Sequence, residues 1–153
     1  MGIGRLGDIF PEEEKIKTFL AQLKPGCIFY LSCDFTTPPK DKYLVLACVE
    51  PRPLFFIINS EIHEYIKKRP YLLRCQIKID AKRHGFLNHD SYISCADAID
   101  AFHVKDIEQQ VLKSMDRIKG MVSADTRKHI LSAVRSAETI SKAHKEWIIR
   151  ALE

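Results

Sequence analysis

The chain has no apolar run approaching the roughly 20 residues that a membrane-spanning helix needs, and its first residues show no signal-peptide apolar core. A membrane or exported protein is therefore not expected, and the reading is a soluble, cytoplasmic one. No CxxC pair occurs, and Cys27, Cys33, Cys48, Cys75 and Cys95 are odd in number and not closely spaced with histidines. They read as reduced core residues rather than as a disulfide framework. The six histidines form no HExxH and no HxxxH pair on a predicted helix, so neither a metal site nor any other cofactor is expected. Gly2-Ile-Gly-Arg-Leu-Gly7 fits GxGxxG, yet no strand precedes it and no βαβ unit follows, which removes the context of a dinucleotide fold. N-myristoylation is excluded as well, because Leu6 stands where the motif wants Ser or Thr.

What is present suits one domain with a real core: 153 residues, 46% of them hydrophobic. The net charge of +4 permits an anionic partner without requiring one. Its distribution is more informative. Lys67-Lys68-Arg69, Arg74, Lys78 and Lys82-Arg83-His84 concentrate positive charge in one stretch, with Tyr65 and Tyr71 interleaved. Such a stretch fits either a surface that contacts phosphates and stacks bases, or a solvated basic loop with two packing tyrosines.

Pro11 followed by Glu12, Glu13 and Glu14 starts a helix, with Ile16, Phe19, Leu20 and Leu23 on one face and Pro25-Gly26 ending it. From Cys27 the period becomes strand-like, in runs Cys27 to Phe35, Tyr43 to Val49, Leu54 to Asn59, Leu72 to Asp80 and Phe86 to Cys95. Five short strands separated by turns suggest a small barrel. Residues 61–69 read equally as a helical turn or a loop. After Ala101 the pattern is helical: Val104, Ile107, Val111, Met115 and Ile118 form a stripe closed by Gly120. A second stripe runs from the cap Ser123 through Ile130, Val134, Ala137, Ile140, His144 and Ile148. The expectation is an α+β fold, with an arm and helix over 1–24, a barrel over 25–102 and helices over 103–153. So long a stripe on a small barrel points to a homodimer or a protein partner, or to packing on the N-terminal helix.

Gly85-Phe-Leu-Asn-His-Asp-Ser-Tyr-Ile-Ser-Cys95 places a His-Asp pair in an otherwise apolar, strand-like segment. Strand alternation from Phe86 leaves neither face cleanly apolar, and a buried Asp is costly unless hydrogen-bonded. Two readings follow: a polar cleft lined by His89 and Asp90, or a strand end at which Asp90 caps the following turn.

In order, Gly26-Cys-Ile-Phe-Tyr-Leu-Ser-Cys-Asp-Phe35, Lys42-Tyr-Leu-Val-Leu46, Phe56-Ile-Ile-Asn-Ser60, Phe86 to Cys95 and Gly120-Met-Val-Ser123 resemble the MazF/PemK/Kid toxin family. The resemblance covers about residues 24 to 142 and lies in the order of elements. It implies a small SH3-like β-barrel with flanking helices, and a toxin-like endoribonuclease that cuts single-stranded RNA without metal and is neutralised by a cognate antitoxin. The family's opening Gly-Asp is Gly26-Cys27 here, its Arg-Pro is Lys42-Tyr43, and a catalytic arginine of some relatives falls at Asn88. Ser60 and Asp90 match its Ser/Thr and acid.

Metal-free RNA cleavage needs a base for the ribose 2′-hydroxyl, a cation or donor for the phosphorane charge, and an acid for the leaving oxygen. In this chain that chemistry makes His89 or Asp90 the expected base, Lys42 or Arg83 the electrostatic stabiliser and Ser60 the donor, while the basic stretch is expected to bind RNA through Lys67, Lys68, Lys82 and Arg83. A second reading keeps the barrel without catalysis, as a module binding RNA or a protein tail. An HD phosphohydrolase, suggested by His89-Asp90, fails for want of further His and Asp ligands on helices.

Overall fold

The computed structural model describes residues 11–153. The glycine motif at residues 2–7 and most of the expected arm lie outside these residues. Among them, six helices flank a six-stranded sheet in the order β4-β5-β3-β2-β1-β6, every neighbouring pair antiparallel. The strands are β1 (Cys27–Cys33), β2 (Lys40–Cys48), β3 (Leu54–Asn59), β4 (Gln76–Ile79), β5 (Ser91–Ser94) and β6 (Ile118–Met121). The helices are α1 (Glu12–Gln22), α2 (Glu64–Lys67), α3 (Pro70–Leu73), α4 (Val104–Lys113), α5 (Ala124–Ser136) and α6 (Lys142–Leu152). The fold is α+β. No helix among the described residues is long and apolar enough to cross a membrane.

The sheet curls into a half-barrel because β3 changes partner along its length. Leu54 to Ile57 pair with β2, while Ile58 and Asn59 pair with Ile93 and Tyr92 of β5. The central strands read as nearly continuous apolar runs for a physical reason: both faces of the sheet are covered. Phe29, Leu31, Leu44, Leu46 and Phe55 form one core with Phe19 of α1 and Ile107 and Val111 of α4. Ile28, Val45, Phe56 and Ile58 form the other with Ile130 and Val134 of α5 and Ile148 and Leu152 of α6. Rings interlock on the first side, Phe55 meeting Phe29 at 6.3 Å and Phe102 at 5.3 Å, both near edge-to-face.

Several expected elements differ. The first helix begins at Glu12, after Pro11, and Leu20, on the expected apolar face, is 56% exposed; Phe19 carries the burial. Leu72 belongs to α3, and β4 starts only at Gln76. Residues 61–69 contain the short α2. The stripe from Val104 to Ile118 is not one helix: α4 stops at Lys113, a 3-10 turn covers Met115–Arg117, and Ile118–Met121 is β6. The spacing holds through α4, but only Met115 and Ile118 carry it further, and there the open edge of β1 takes β6 as its ladder partner. The sheet therefore extends past residue 102, into the stretch expected to be wholly helical.

The second stripe is also interrupted. α5 ends at Ser136, and Ser141 starts α6 by accepting a hydrogen bond from the His144 amide at 3.2 Å. The interruption lets α6 fold back, and both helices bury their stripes on one core. The apolar stripe of these two helices is thus covered within the chain. Arg127 ties this layer down, donating to the Leu152 carbonyl (2.8 Å), the Ala151 carbonyl (3.2 Å) and the Pro25 carbonyl (3.4 Å).

Candidate functional site

The α5/α6 side of the sheet is covered as far as Ile28 and Val45 and opens beyond them. The next residues on that face are Tyr30 and Tyr43, which are Cα partners across β1 and β2, followed by Ser32 and Asp41. A cleft of about 250 Å³ forms there, lined by Tyr30, Asp41, Tyr43, Ser60, Phe86 and His89 among others. Its aromatic rings make a continuous row. Tyr30 and Tyr43 lie 4.5 Å apart, Tyr43 and Phe86 4.9 Å, and His84 extends the row 5.9 Å beyond Phe86. Burial, and then the neighbouring Tyr30 phenol, push the Tyr43 hydroxyl above its ordinary pKa. That hydroxyl donates to the Phe86 carbonyl at 3.3 Å.

The expected strand from Phe86 is a loop as far as Asp90, and only Ser91–Ser94 pair in the sheet. Two aspartates shape this loop. Asp80 accepts from the Arg83 amide at 2.9 Å, and Asp90 accepts from the Ala81 amide at 3.0 Å. The other Asp90 oxygen lies 3.5 Å from the Lys78 ammonium. The Ala81 amide, helped by Lys78 and Lys82, holds the Asp90 carboxyl below its ordinary value. Asp90 therefore does not join Ser60 and His89 in lining the cleft. Asp90 caps a turn, as the second reading has it, but the turn is the one before it at Ala81 rather than the following one, and Asp90 stands ahead of β5 rather than at a strand end.

His89 is exposed at the cleft, with Nδ1 3.2 Å from the Asp90 carbonyl oxygen. A carbonyl only accepts, so in the neutral ring this contact assigns the proton to Nδ1 and leaves the Nε2 lone pair available. Beside it Ser91, almost fully buried, donates to the His89 carbonyl at 3.1 Å and fixes the backbone.

Lys42 borders the cleft but pairs with Leu31, so strand alternation sends its side chain to the opposite face with Leu31 and Leu44. Burial, and then Lys40, lower its ammonium below the ordinary lysine value, and Cys33 is its neighbour there. Lys67, Lys68, Lys82 and Arg83 are exposed, and none lines the cleft. Lys67 pairs with Glu64 at 3.4 Å, and Arg83 borders a smaller cavity beside the start of α5.

Sequence reasoning missed Arg117. Its guanidinium donates through Nη1 to the Tyr30 carbonyl at 2.7 Å and lies 6.0 Å from the Tyr30 ring, while the Lys119 ammonium is 5.9 Å from the same ring. Both residues sat inside an expected helix, and only β6 pairing with β1 brings them here. A larger cavity of about 470 Å³ lies near α4, lined by Ser32, Cys33, Asp41, Phe102, Gln109 and Gln110 among others. Polar groups along it are engaged with one another: Gln110 accepts from the Ser32 amide at 2.8 Å, and the Ser32 hydroxyl donates to Asp41 at 2.7 Å.

Among the described residues no group of three or more His, Cys, Asp or Glu side chains is arranged to hold a metal ion. No protein-family model matches the chain, and no curated protein matches it significantly.

Proposed function

We propose that the protein is a MazF/PemK/Kid-like endoribonuclease built on an SH3-like barrel, acting on single-stranded RNA in the Tyr30–Tyr43–Phe86 cleft as the toxin partner of an antitoxin. The observation that carries this reading is the row of three aromatic rings at the open end of a curled antiparallel sheet, with a histidine and a serine on its rim. Such a row offers stacking surfaces for unpaired bases, which every base can use and which a duplex hides. The strand curl and the strand-to-helix turn at Gly120 to Ser123 support the barrel assignment.

In this reading His89 Nε2 removes the proton from a ribose 2′-hydroxyl, and the 2′-oxygen attacks the adjacent phosphorus. The bond from phosphorus to the 5′-oxygen breaks, leaving a 2′,3′-cyclic phosphate; the departing oxygen takes a proton from water, and the hydroxide left behind takes the proton held by His89. Ser60 donates a hydrogen bond to the phosphate oxygens. Asp90 keeps the loop in shape and takes no proton.

The test is cleavage of a long single-stranded RNA with EDTA present. His89→Gln loses about a hundredfold to ten-thousandfold in rate, the usual range for a general base, Ser60→Ala loses less, and Asp90→Asn retains activity wherever it stays folded. Wild-type protein that binds RNA but does not cut it would leave a non-catalytic RNA-binding barrel. One observation favours that second reading: Asp90, the acid of the family pattern, is already held by Ala81 and Lys78.

A further inference from the structure

We propose that Arg117 and Lys119, which do not line the aromatic cleft but adjoin it at Tyr30 and Asp41, extend it with a phosphate-binding end, in the role that sequence position suggested for Lys42; the proposal rests on the single-stranded RNA reading above. The device that delivers them is an irregularity in β6. Phe29 pairs with Ile118 and Ile28 with Gly120, so Lys119 is an extra residue without a partner on β1. A bulge of this kind re-aims a side chain, and Gly120 accommodates it with φ +123°. Ile118 packs with the core on the α1/α4 side, and the Lys119 ammonium comes to within 5.9 Å of the Tyr30 ring.

Arg117 arrives from the turn before β6 and is held more firmly. Its side chain is only 22% exposed, and Nη1 is fixed by the Tyr30 carbonyl. A guanidinium has five donors in a planar fork. Among the described residues Nη2 has only a long 3.9 Å contact with Asp41, whose other oxygen receives the Ser32 hydroxyl. An arginine anchored at one nitrogen, with a loosely held carboxylate at another, suits a group carrying two acceptor oxygens and negative charge. A backbone phosphate is such a group, and it would displace Asp41. Asp116 is the other carboxylate nearby; the Ser114 hydroxyl chiefly, then Lys119 and Arg117, hold it below its ordinary value. With two cations beside Tyr30 and rings continuing through Tyr43 to Phe86, the cleft has a phosphate end and a base-stacking end. Lys42, by contrast, is on the other face of the sheet.

The experiment measures binding of a short fluorescent single-stranded 2′-fluoro RNA, which lacks the hydroxyl needed for cleavage, as a function of salt. Each lost phosphate contact lowers the slope of log affinity against log salt by about 0.7 for a single strand. Arg117→Gln and Lys119→Gln each lower the slope by that amount, Arg117→Lys keeps it while weakening binding, and Lys42→Gln leaves it unchanged. Asp41→Asn tightens binding by removing the competing carboxylate. If wild type binds and neither Arg117→Gln nor Lys119→Gln changes the slope, the clamp is wrong and the cleft reading stands. If wild type shows no binding at low salt, both fall together. Should Arg117→Gln fail to fold, Lys119→Gln decides the matter, because the Lys119 side chain makes no hydrogen bond among the described residues.

Discussion

Tyr30 and Tyr43 are Cα partners on β1 and β2, and their rings pack 4.5 Å apart at the point where the helical cover of the sheet ends. The same two strands carry Phe29 and Leu44, also paired, on the opposite face inside the core with α1 and α4. One register thus sets a buried aromatic layer on one side and an open aromatic row on the other. A one-residue slip would exchange them.

The row itself is open to test. Tyr30→Leu and Phe86→Leu keep apolar volume but remove the stacking faces. Each is expected to weaken single-stranded RNA binding by about 1–3 kcal/mol, roughly fivefold to 150-fold. Fluorescence anisotropy with the uncleavable RNA reads the loss, and unchanged far-ultraviolet dichroism separates it from misfolding.

Asp90 makes a prediction about acid stability. Its carboxyl is held below the ordinary value by the Ala81 amide, with Lys78 assisting, so the folded state binds that proton less readily than the unfolded chain. The stabilisation is present above the ordinary aspartate pKa, about 3.9, and is lost as the pH falls through the lowered one. Asn can still accept from the Ala81 amide. Asp90→Asn should therefore melt below wild type at neutral pH, with the gap closing in acid; a gap independent of pH would contradict the assignment.

Arg127 joins the end of α6 to Pro25 ahead of β1 through three carbonyls. Replacing it with Met leaves those carbonyls without their charged donor, at a cost of about 2 kcal/mol. For a chain of this size that corresponds to a fall in Tm of about 4–8 °C. Arg135, whose exposed pair with Glu153 spans 2.8 Å, should matter far less when replaced by Met, because surface pairs contribute little.

The five cysteines supply a chemical measurement. All are buried, and desolvation pushes the thiols of Cys27, Cys33 and Cys48 up to about 11, with Cys75 and Cys95 also raised. The thiolate is the reactive form. Iodoacetamide at pH 8 should leave the native protein almost unmodified and label all five positions after denaturation, as read by intact mass.

Much of this was legible in the sequence because it is local. The apolar runs of β1 to β3, the stop at Pro25-Gly26, the Ser123 cap and the buried cysteines follow from side-chain type and spacing over a few residues. So does the prominence of the segment from Phe86 to Cys95, which contributes Phe86 and His89 to the cleft rim. What the local pattern did not decide was where each polar group points. Lys42 and Tyr43 are adjacent in the chain, yet the pleat sends them to opposite faces, and which face opens depends on α5 and α6 ending their cover at Ile28 and Val45. Asp90 was equally able to line a cleft or cap a loop until β4 and β5 paired and brought Lys78 and the Ala81 amide to it. Arg117 and Lys119 carried a helical spacing in the sequence. Only the pairing of β6 with β1, nearly ninety positions away, turned them toward Tyr30, because a strand's partner and register are set by whole-chain packing rather than by neighbours in sequence.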